Sequence, residues 1–575
     1  MSEFEGGKGI GQPESSNPLA AGAISDKFLQ DLDLSSIQEG RARECIRRLL
    51  NLLETVLGQL RELRAENQRL RDEVNRLKGE QGKPDIQANR LDKPGGSRHS
   101  SEQERRTPKE WKKSSKVEQI RIDREEVLEL DPQTLPPDAV WKGYESVVVQ
   151  DLQICTDNVE FRKAKYYSAE AGKTYLAPVP QGYEGGFGPG IKALAMVFAY
   201  GCNMTQPKMA EWFANVGIRI SAGQVSNLLI AKQEGFHAEK DALYEAGLRS
   251  SPWQHLDETS TRVNGQNQHC QVVCNPRHTA FFTTPKNDRL TVLQVLRNLR
   301  EPGYRLNDEA MGFLERCGFR APAMVRLKSL LQDGDLREAE WQCLVEQHVP
   351  GLKPRQRRYL WEAAAVAAYH AEVGHPVVRL LVGDDAPQFK LVTEELALCW
   401  VHTGRHFKKL EPHFAHHRKL LERLLEEFWG FYRQLLSYRQ APSSGEAERL
   451  TRQFDQLFSQ VTGYTALDER MAQTKAKKTH LLMVLAHPEI PLHNNPAELG
   501  ARLRVRKRDA SFGPRTARGA QAWDTFQTLL STTKKLGVNF YDYSRERIRG
   551  APPTLPGLIA LKAQQFPLGA SWDTS

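Results

Sequence analysis

SPWQHLDETST (251–261), NQHCQVVCNP (267–276) and HTAFFTTPK (278–286), followed by DRLTVLQVLRNL (288–299), form the stretch from which the rest of the chain is placed. The first three segments read as strands, the first ending in Asp257 and the last two joined at Asn275-Pro276. In the fourth, Leu290, Val292, Leu293, Val295, Leu296 and Leu299 supply the apolar side of an amphipathic helix. Downstream, VVRLLVGD (377–384) is a continuous apolar run that stops at an acid, which suits a parallel strand covered on both faces. LALCWVH (396–402) reads as a fifth strand.

Three antiparallel strands, a helix and an acid on the first strand open a ribonuclease-H-like fold, an α/β architecture with a mixed five-stranded sheet and helices. Asp257 and Asp384 are then expected at the carboxyl ends of neighbouring strands. Magnesium takes hard oxygen ligands and few carboxylates, leaving room for phosphate and water. A third carboxylate is found in LHNNPAELGARLRVRKRDASFG (492–513), where Asn495 is expected to cap a helix whose first turn holds Glu498. Two metals held by three acids can activate an attacking hydroxyl and stabilise the leaving oxygen of a phosphodiester. Arg502, Arg504, Arg506, Lys507 and Arg508, with Arg515 and Arg518 beyond, are expected to hold a DNA backbone beside them. Each acid also has a plainer reading. Asp257 could cap the turn DETST, the Asp384-Asp385 pair could cap a helix, and Asn495 followed three residues later by Glu498 is close to a capping box. Spacing alone does not choose between these readings.

The chain has 575 residues, too many for one compact core, so it is divided into units. Residues 1–40 are polar and expected to be disordered. In 41–79 the series Ile46, Leu49, Leu53, Val56, Leu60, Leu63, Asn67, Leu70, Val74, Leu77 follows a heptad and predicts a coiled-coil dimerisation helix, with Asn67 fixing register. A helix packed on the protein's own body is the plainer alternative. Residues 80–135 form a charged linker. Residues 136–250 combine a small β-rich segment (ESVVVQDLQI, KTYLAPVP) with a helical, helix-turn-helix-like region for DNA ends. There Ser221 caps a helix presenting Gln224 and Asn227. The catalytic domain is expected at 251–548, with helical insertions at about 300–371 and 408–475, and a tail at 549–575.

Lys and Arg total 80 against 71 acids, a net charge of +9, which favours a polyanionic partner without naming it. The eight cysteines lack paired CxxC spacings, so neither a disulfide framework nor structural zinc is expected; Cys399 and His402 alone make half a zinc site. His413, His416 and His417 read as a solvated helix face. No apolar run reaches the ~18 to 20 residues of a membrane helix, and no signal peptide is read at the start, so a cytoplasmic protein with no membrane partner is expected.

These motifs resemble the insertion sequence 66 family of bacterial DDE transposases. The carrying residues are Asp257-Glu258-Thr259 with Arg262, Val263, Asn264 and Gly265; then Leu381-Val382-Gly383-Asp384 with Phe389. Next come Cys399, Trp400, His402, Arg405 and Phe407, and last Asn494, Asn495, Ala497, Glu498, Arg502, Arg506, Lys507 and Phe512. The resemblance implies Asp257, Asp384 and Glu498 as catalytic metal ligands, with His402, Arg405 and Asn495 auxiliary, and Mg2+ or Mn2+ as cofactor. It implies cleavage at transposon inverted-repeat ends and strand transfer into target DNA, by a homodimer or a higher oligomer on DNA, with accessory proteins a further expectation. Three departures stand out. Only Cys155 occupies the region of a cysteine-rich zinc module, His493 stands where an acid often precedes the asparagines, and Gly404 replaces a basic residue. The rival expectations are a catalytically idle DNA-binding derivative and a structure-selective metal-dependent nuclease.

Overall fold

The computed structural model describes residues 38–78, 120–131, 134–319, 321–331 and 334–568. The expected disordered N-terminus and most of the charged linker lie outside these. In chain order the elements are α1 (Gly40–Leu77), β1 (Lys165–Ser168), β2 (Lys173–Leu176), α2 (Pro189–Met196), α3 (Gln206–Asn215), α4 (Ala222–Ile230) and α5 (Glu234–Arg249). Then follow β3 (Trp253–Val263), β4 (Gln266–Asn275), β5 (His278–Thr284), α6 (Arg289–Leu296), α7 (Asp308–Arg316), α8 (Ala321–Lys328), α9 (Glu338–His348) and α10 (Pro354–His370). The remainder is β6 (Leu380–Gly383), β7 (Glu395–Leu398), α11 (Trp400–Lys408), α12 (Ala415–Gln440), α13 (Ser444–Phe458), α14 (Thr465–Lys475), α15 (Lys478–Leu481), α16 (Asn495–Ser511), α17 (Ala517–Leu536), α18 (Phe540–Ile548) and α19 (Leu555–Gln565).

β3 to β7 form one mixed sheet in the order β5-β4-β3-β6-β7. β3, β4 and β5 are an antiparallel meander, and β6 and β7 run parallel to β3. The β3–β4 hairpin turns on Asn264 and Gly265, both at positive φ (51° and 76°), the two-residue loop whose twist matches that of its strands. β6 is buried along its whole length, as the apolar run required. Two expectations need correction. β3 does not end at Asp257 but continues to Val263, because its second half still pairs with β4. The fifth strand stops at Leu398; Cys399 caps α11 with its thiol, and Trp400 begins the helix.

The edge strand β5 is closed by α17. Thr279, Phe281 and Thr283 donate their backbone N–H groups to Thr532 Oγ1 (3.2 Å), Thr528 Oγ1 (3.0 Å) and Asp524 Oδ2 (2.7 Å). Four residues of helix advance about 6 Å and two of strand about 6.8 Å, so the spacings match. The other side of α17 packs with α2 to α5, sharing a core that includes Tyr200, Phe213, Leu229, Leu243, Phe526 and Leu529. The expected boundary at residue 250 therefore falls within one packed unit. The expected tail also contains α19, whose Leu555 and Ile559 are buried in the same core.

ESVVVQDLQI forms no strand: no segment among the described residues pairs with it, Val147, Val149 and Leu152 stay exposed, and of the expected β-rich segment only β1 and β2 pair, as a two-stranded hairpin. The stretch between the meander and β6 is helical, as is that between β7 and α16. In the latter, Trp400 is buried among Phe428, Phe431, Tyr432 and Phe454. Gly404 has a packing reason for lacking a side chain, since a Cβ there would meet Trp429 at 2.6 Å.

Helix α1 divides its apolar stripe. Leu50 is buried against Phe414, with Ile46, Leu53 and Leu57 half-buried beside it. Asn51 donates to Gly463 O and accepts from Thr465 N, and Glu54 accepts from His413 N and meets His417 Nδ1 at 3.0 Å. The first half thus packs on the protein's own body. Leu49, Leu52 and Val56 on the other side of that half, and Leu60, Leu63, Leu70, Val74 and Leu77 beyond it, remain exposed, Leu63 at 65%. The histidine expectation is corrected at the same contact: His417 is buried and stacks on Tyr464 at 4.2 Å. No helix of the described residues is long and apolar enough to cross a membrane.

Candidate active site

The parallel pairing of β3 with β6 sets Trp253 opposite Leu380 and His255 opposite Val382. Continuing that register by two residues brings Asp257 opposite Asp384, on the same sheet face. Asp257 is also paired across β4 with Val272, and Val272 with Phe281. That face is covered by α16, which can settle on it because Gly500 lies over Val272; a Cβ there would come within 2.7 Å of Val272 Cγ1. Close seating of α16 sets its first turn, and so Glu498, over the two aspartates.

Asn494, rather than Asn495, fixes that turn. Its Nδ2 donates to Leu256 O (2.8 Å), its Oδ1 meets His255 Nδ1 (2.9 Å), and its backbone N–H points at Cys399 Sγ (3.3 Å). Asn494 occupies the N-cap position without a side-chain cap bond, so the expected capping role of Asn495 is not realised. Nor is Glu498 a capping-box residue. Its carboxylate receives Arg405 Nη1 and Nη2, each at 2.9 Å, with His402 Nδ1 at 3.6 Å and Arg502 Nη2 at 3.9 Å.

The acids influence one another. Burial, with the negative charges of Asp384 and Glu498, pushes the Asp257 carboxyl up to about 7, against a backbone hydrogen bond from Glu258 and the attraction of His402. Burial also works against the Glu498 charge, but the neighbouring His402 and the Arg405 hydrogen bonds outweigh it and hold the group down at about 2. His402 is raised to about 10 by the adjacent Cys399 and Glu498 side chains, which overcome its burial. Three neighbouring hard-oxygen donors, one of them driven towards its neutral form by burial and, after that, by the charges of the other two, fit a divalent cation, whose charge would remove that repulsion. Glu498 also joins the Cys399–His402 pair, the ligand atoms of all three lying within 4.8 Å of one another. Here Cys399 Sγ already accepts from His402 N and Asn494 N, and both Glu498 oxygens are held by Arg405.

Sequence reasoning missed Glu258. Its carboxylate accepts from Asn287 Nδ2 (3.0 Å) and Gln388 Nε2 (2.9 Å) and meets His269 Nδ1 at 2.7 Å. It faces away from Asp257 and ties β3 to the segment that follows Asp384. Only its place beside Asp257 in the motif pointed to it.

The basic residues of α16 divide. Arg502 and Arg506 are exposed. Arg508 is tied to Ser260 O (2.7 Å) and Ser260 Oγ (3.0 Å). Arg504 and Lys507 are not available to DNA. Arg504 is buried in an ion pair with Asp524 between Phe281 and Trp523, and Lys507 is buried over Tyr200 and Trp523 with its ammonium on Ala199 O. Burial, then the nearby Arg504 charge, lowers the Lys507 amine to about 7. In α4, Gln224 closes a capping box with Ser221, so its amide oxygen is used locally, while Asn227 is exposed about one turn further on.

A mixed five-stranded sheet, with acids at facing positions of two parallel strands and a third on the covering helix, places the chain in an α/β class compatible with a ribonuclease-H-like core. The chain belongs to the IS66 transposase family, whose profile (Transposase IS66 family) matches residues 184–314 and 384–522. The unmatched interval between them, 315–383, holds α8, α9, α10 and β6. The chain is also similar to the uncharacterized protein y4jO of Sinorhizobium fredii (strain NBRC 101917 / NGR234). The two are 34% identical over 332 residues, which span 56% of this chain and all of the relative.

Proposed function

We propose that this protein is a metal-dependent DNA transposase that cleaves transposon ends and joins them to target DNA, with Asp257, Asp384 and Glu498 as its metal ligands on a ribonuclease-H-like core. What supports the reading is the β3–β6 register, which carries Asp257 opposite Asp384, and the charge that Asp384 and Glu498 both exert on Asp257. Divalent ions, magnesium or manganese, would supply activation of the attacking oxygen and neutralisation of charge on the leaving one. In the first step the new bond joins phosphorus to a water oxygen and the P–O3′ bond breaks. In the second the freed 3′-hydroxyl attacks a target phosphodiester and displaces its 3′ oxygen, so bond number is conserved.

The protein's own groups bind and orient. Exposed Arg502, Arg506, Arg515 and Arg518 suit phosphate contacts near the acids. Glu258 and Asn494 hold the supporting segments of Asp384 and Glu498 in place. The cap of α4 orients the exposed Asn227 as a DNA-end contact. The exposed ridge of α1 suits self-association, which bringing two DNA ends together requires.

The test is cleavage of DNA carrying the element's terminal repeats by purified protein with Mg2+ or Mn2+. Asp257→Asn and Glu498→Gln are each expected to cut the rate by ~10³-fold or more, the scale of losing a group that supports transition-state charge, while duplex binding persists. Undiminished cleavage in both variants would falsify the assignment.

A further inference from the structure

The ion pairs at the acid cluster are lopsided. Glu498 has both carboxylate oxygens engaged by the two terminal nitrogens of Arg405, fork to fork at 2.9 Å each, with His402 and Arg502 also within 4.0 Å. Asp257 and Asp384 are ion-paired to no arginine or lysine among the described residues. Two acids are therefore open to a cation, and the third is already neutralised by a rigid organic one. We propose that Arg405 is a latch, a positioning residue that keeps Glu498 out of metal coordination until a DNA phosphate takes the guanidinium.

The inference rests on the metal-site reading above and adds an order to it. A guanidinium binds carboxylate and phosphate through the same two-pronged geometry, so a phosphodiester arriving from solvent can replace Glu498 on Arg405 without loss of hydrogen bonds. The Arg405 side chain is 41% exposed and can be reached, whereas the Glu498 side chain is only 12% exposed. Glu498 cannot follow the arginine far, because α16 is pinned at Asn494 and Gly500. Released, it faces Asp257 and Asp384. The first ion then needs only the two aspartates, and a second is recruited when DNA is present. Without DNA the chain stays incompletely loaded and cannot hydrolyse phosphodiesters indiscriminately.

The experiment is manganese titration of the full-length protein, with free Mn2+ read by electron paramagnetic resonance, with and without a short random-sequence duplex at low ionic strength. A two-metal centre loaded in this order gives wild type about one ion per chain alone and about two with the duplex. Arg405→Gln is expected to reach about two without DNA. Glu498→Gln is expected to bind about one without DNA, and any gain it shows with the duplex measures manganese carried by the duplex itself and is subtracted from wild type. The latch is overturned if wild type already binds two ions without DNA, or if folded Arg405→Gln stays at one. It is equally overturned if the duplex adds no ion to wild type beyond that seen with Glu498→Gln, an arm that does not depend on the arginine variant folding. Absence of bound manganese in every condition removes the metal-site reading itself, and the latch with it.

Discussion

Two faces of helix α16 carry the same residue types and have opposite roles. On the sheet side, Ala497, Gly500, Ala501, Arg504 and Lys507 are buried; on the solvent side stand Arg502 and Arg506. Burying a guanidinium is costly unless its charge is met, and the two terminal nitrogens of Arg504 meet Asp524 and Thr283 between two aromatic faces, leaving only Nε without a partner. A count of basic residues therefore overstates the cationic surface. α1 repeats the lesson with apolar residues, one side of its first half held by the protein's own helices while Leu49, Leu52, Val56 and the leucines further along are open.

The widest separation of the two faces should come from Arg504→Met, which leaves Asp524 buried without its partner. Unfolding by denaturant is expected to show a loss of about 3 to 5 kcal/mol, only part of it recovered when Asp524→Leu is added, because Asp524 also accepts from Thr283 N and Oγ1. Unimpaired stability in the single variant would erase the distinction between the faces. Lys507→Met probes the same side by pH. An amine whose folded pKa (about 7) lies below its unfolded value binds fewer protons when folded, so wild-type stability gains from this group as pH rises from about 7 towards 10.4. Melting curves across that window should rise for wild type relative to Lys507→Met, and parallel curves would contradict the burial of the amine.

On the solvent face, Arg502→Ala with Arg506→Ala is expected to weaken duplex binding about tenfold at low salt and to lower the salt slope by about one per residue. Thermal stability should stay within about 0.5 kcal/mol. The smallest expected effect belongs to Leu63 of α1. Leu63→Ala should leave the stability of a single chain unchanged within about 0.5 kcal/mol, whereas Leu50→Ala should cost about 2 to 3 kcal/mol. Equal losses would show that the two halves are not differently engaged.

Much of this was legible in the residues. The meander strands announce themselves through local chemistry, and the apolar run before Asp384 suits a covered strand. Helical spacing alone would also have put Arg504 and Lys507 in line with Gly500, but their charge argued for solvent. Other features depended on partners distant in sequence. A heptad reveals an apolar stripe without saying whether it meets a second copy or the chain's own Phe414. The choice between Asn494 and Asn495 follows from which amide reaches Leu256 O, a contact spanning most of the catalytic sheet's sequence. ESVVVQDLQI alternates like a strand, yet alternation supplies no neighbour to hydrogen-bond with.

The closure of β5 by α17 has a consequence for how copies of this protein can meet. Because Asp524, Thr528 and Thr532 consume every second amide of that strand, the sheet offers no template there for a foreign strand. At the opposite margin β7 is only four residues long, and His480 Nδ1 lies 3.0 Å from Leu396 O. Backbone pairing, which tolerates almost any sequence, is thereby disfavoured at both margins, and a partner of any kind would have to be recognised through side chains.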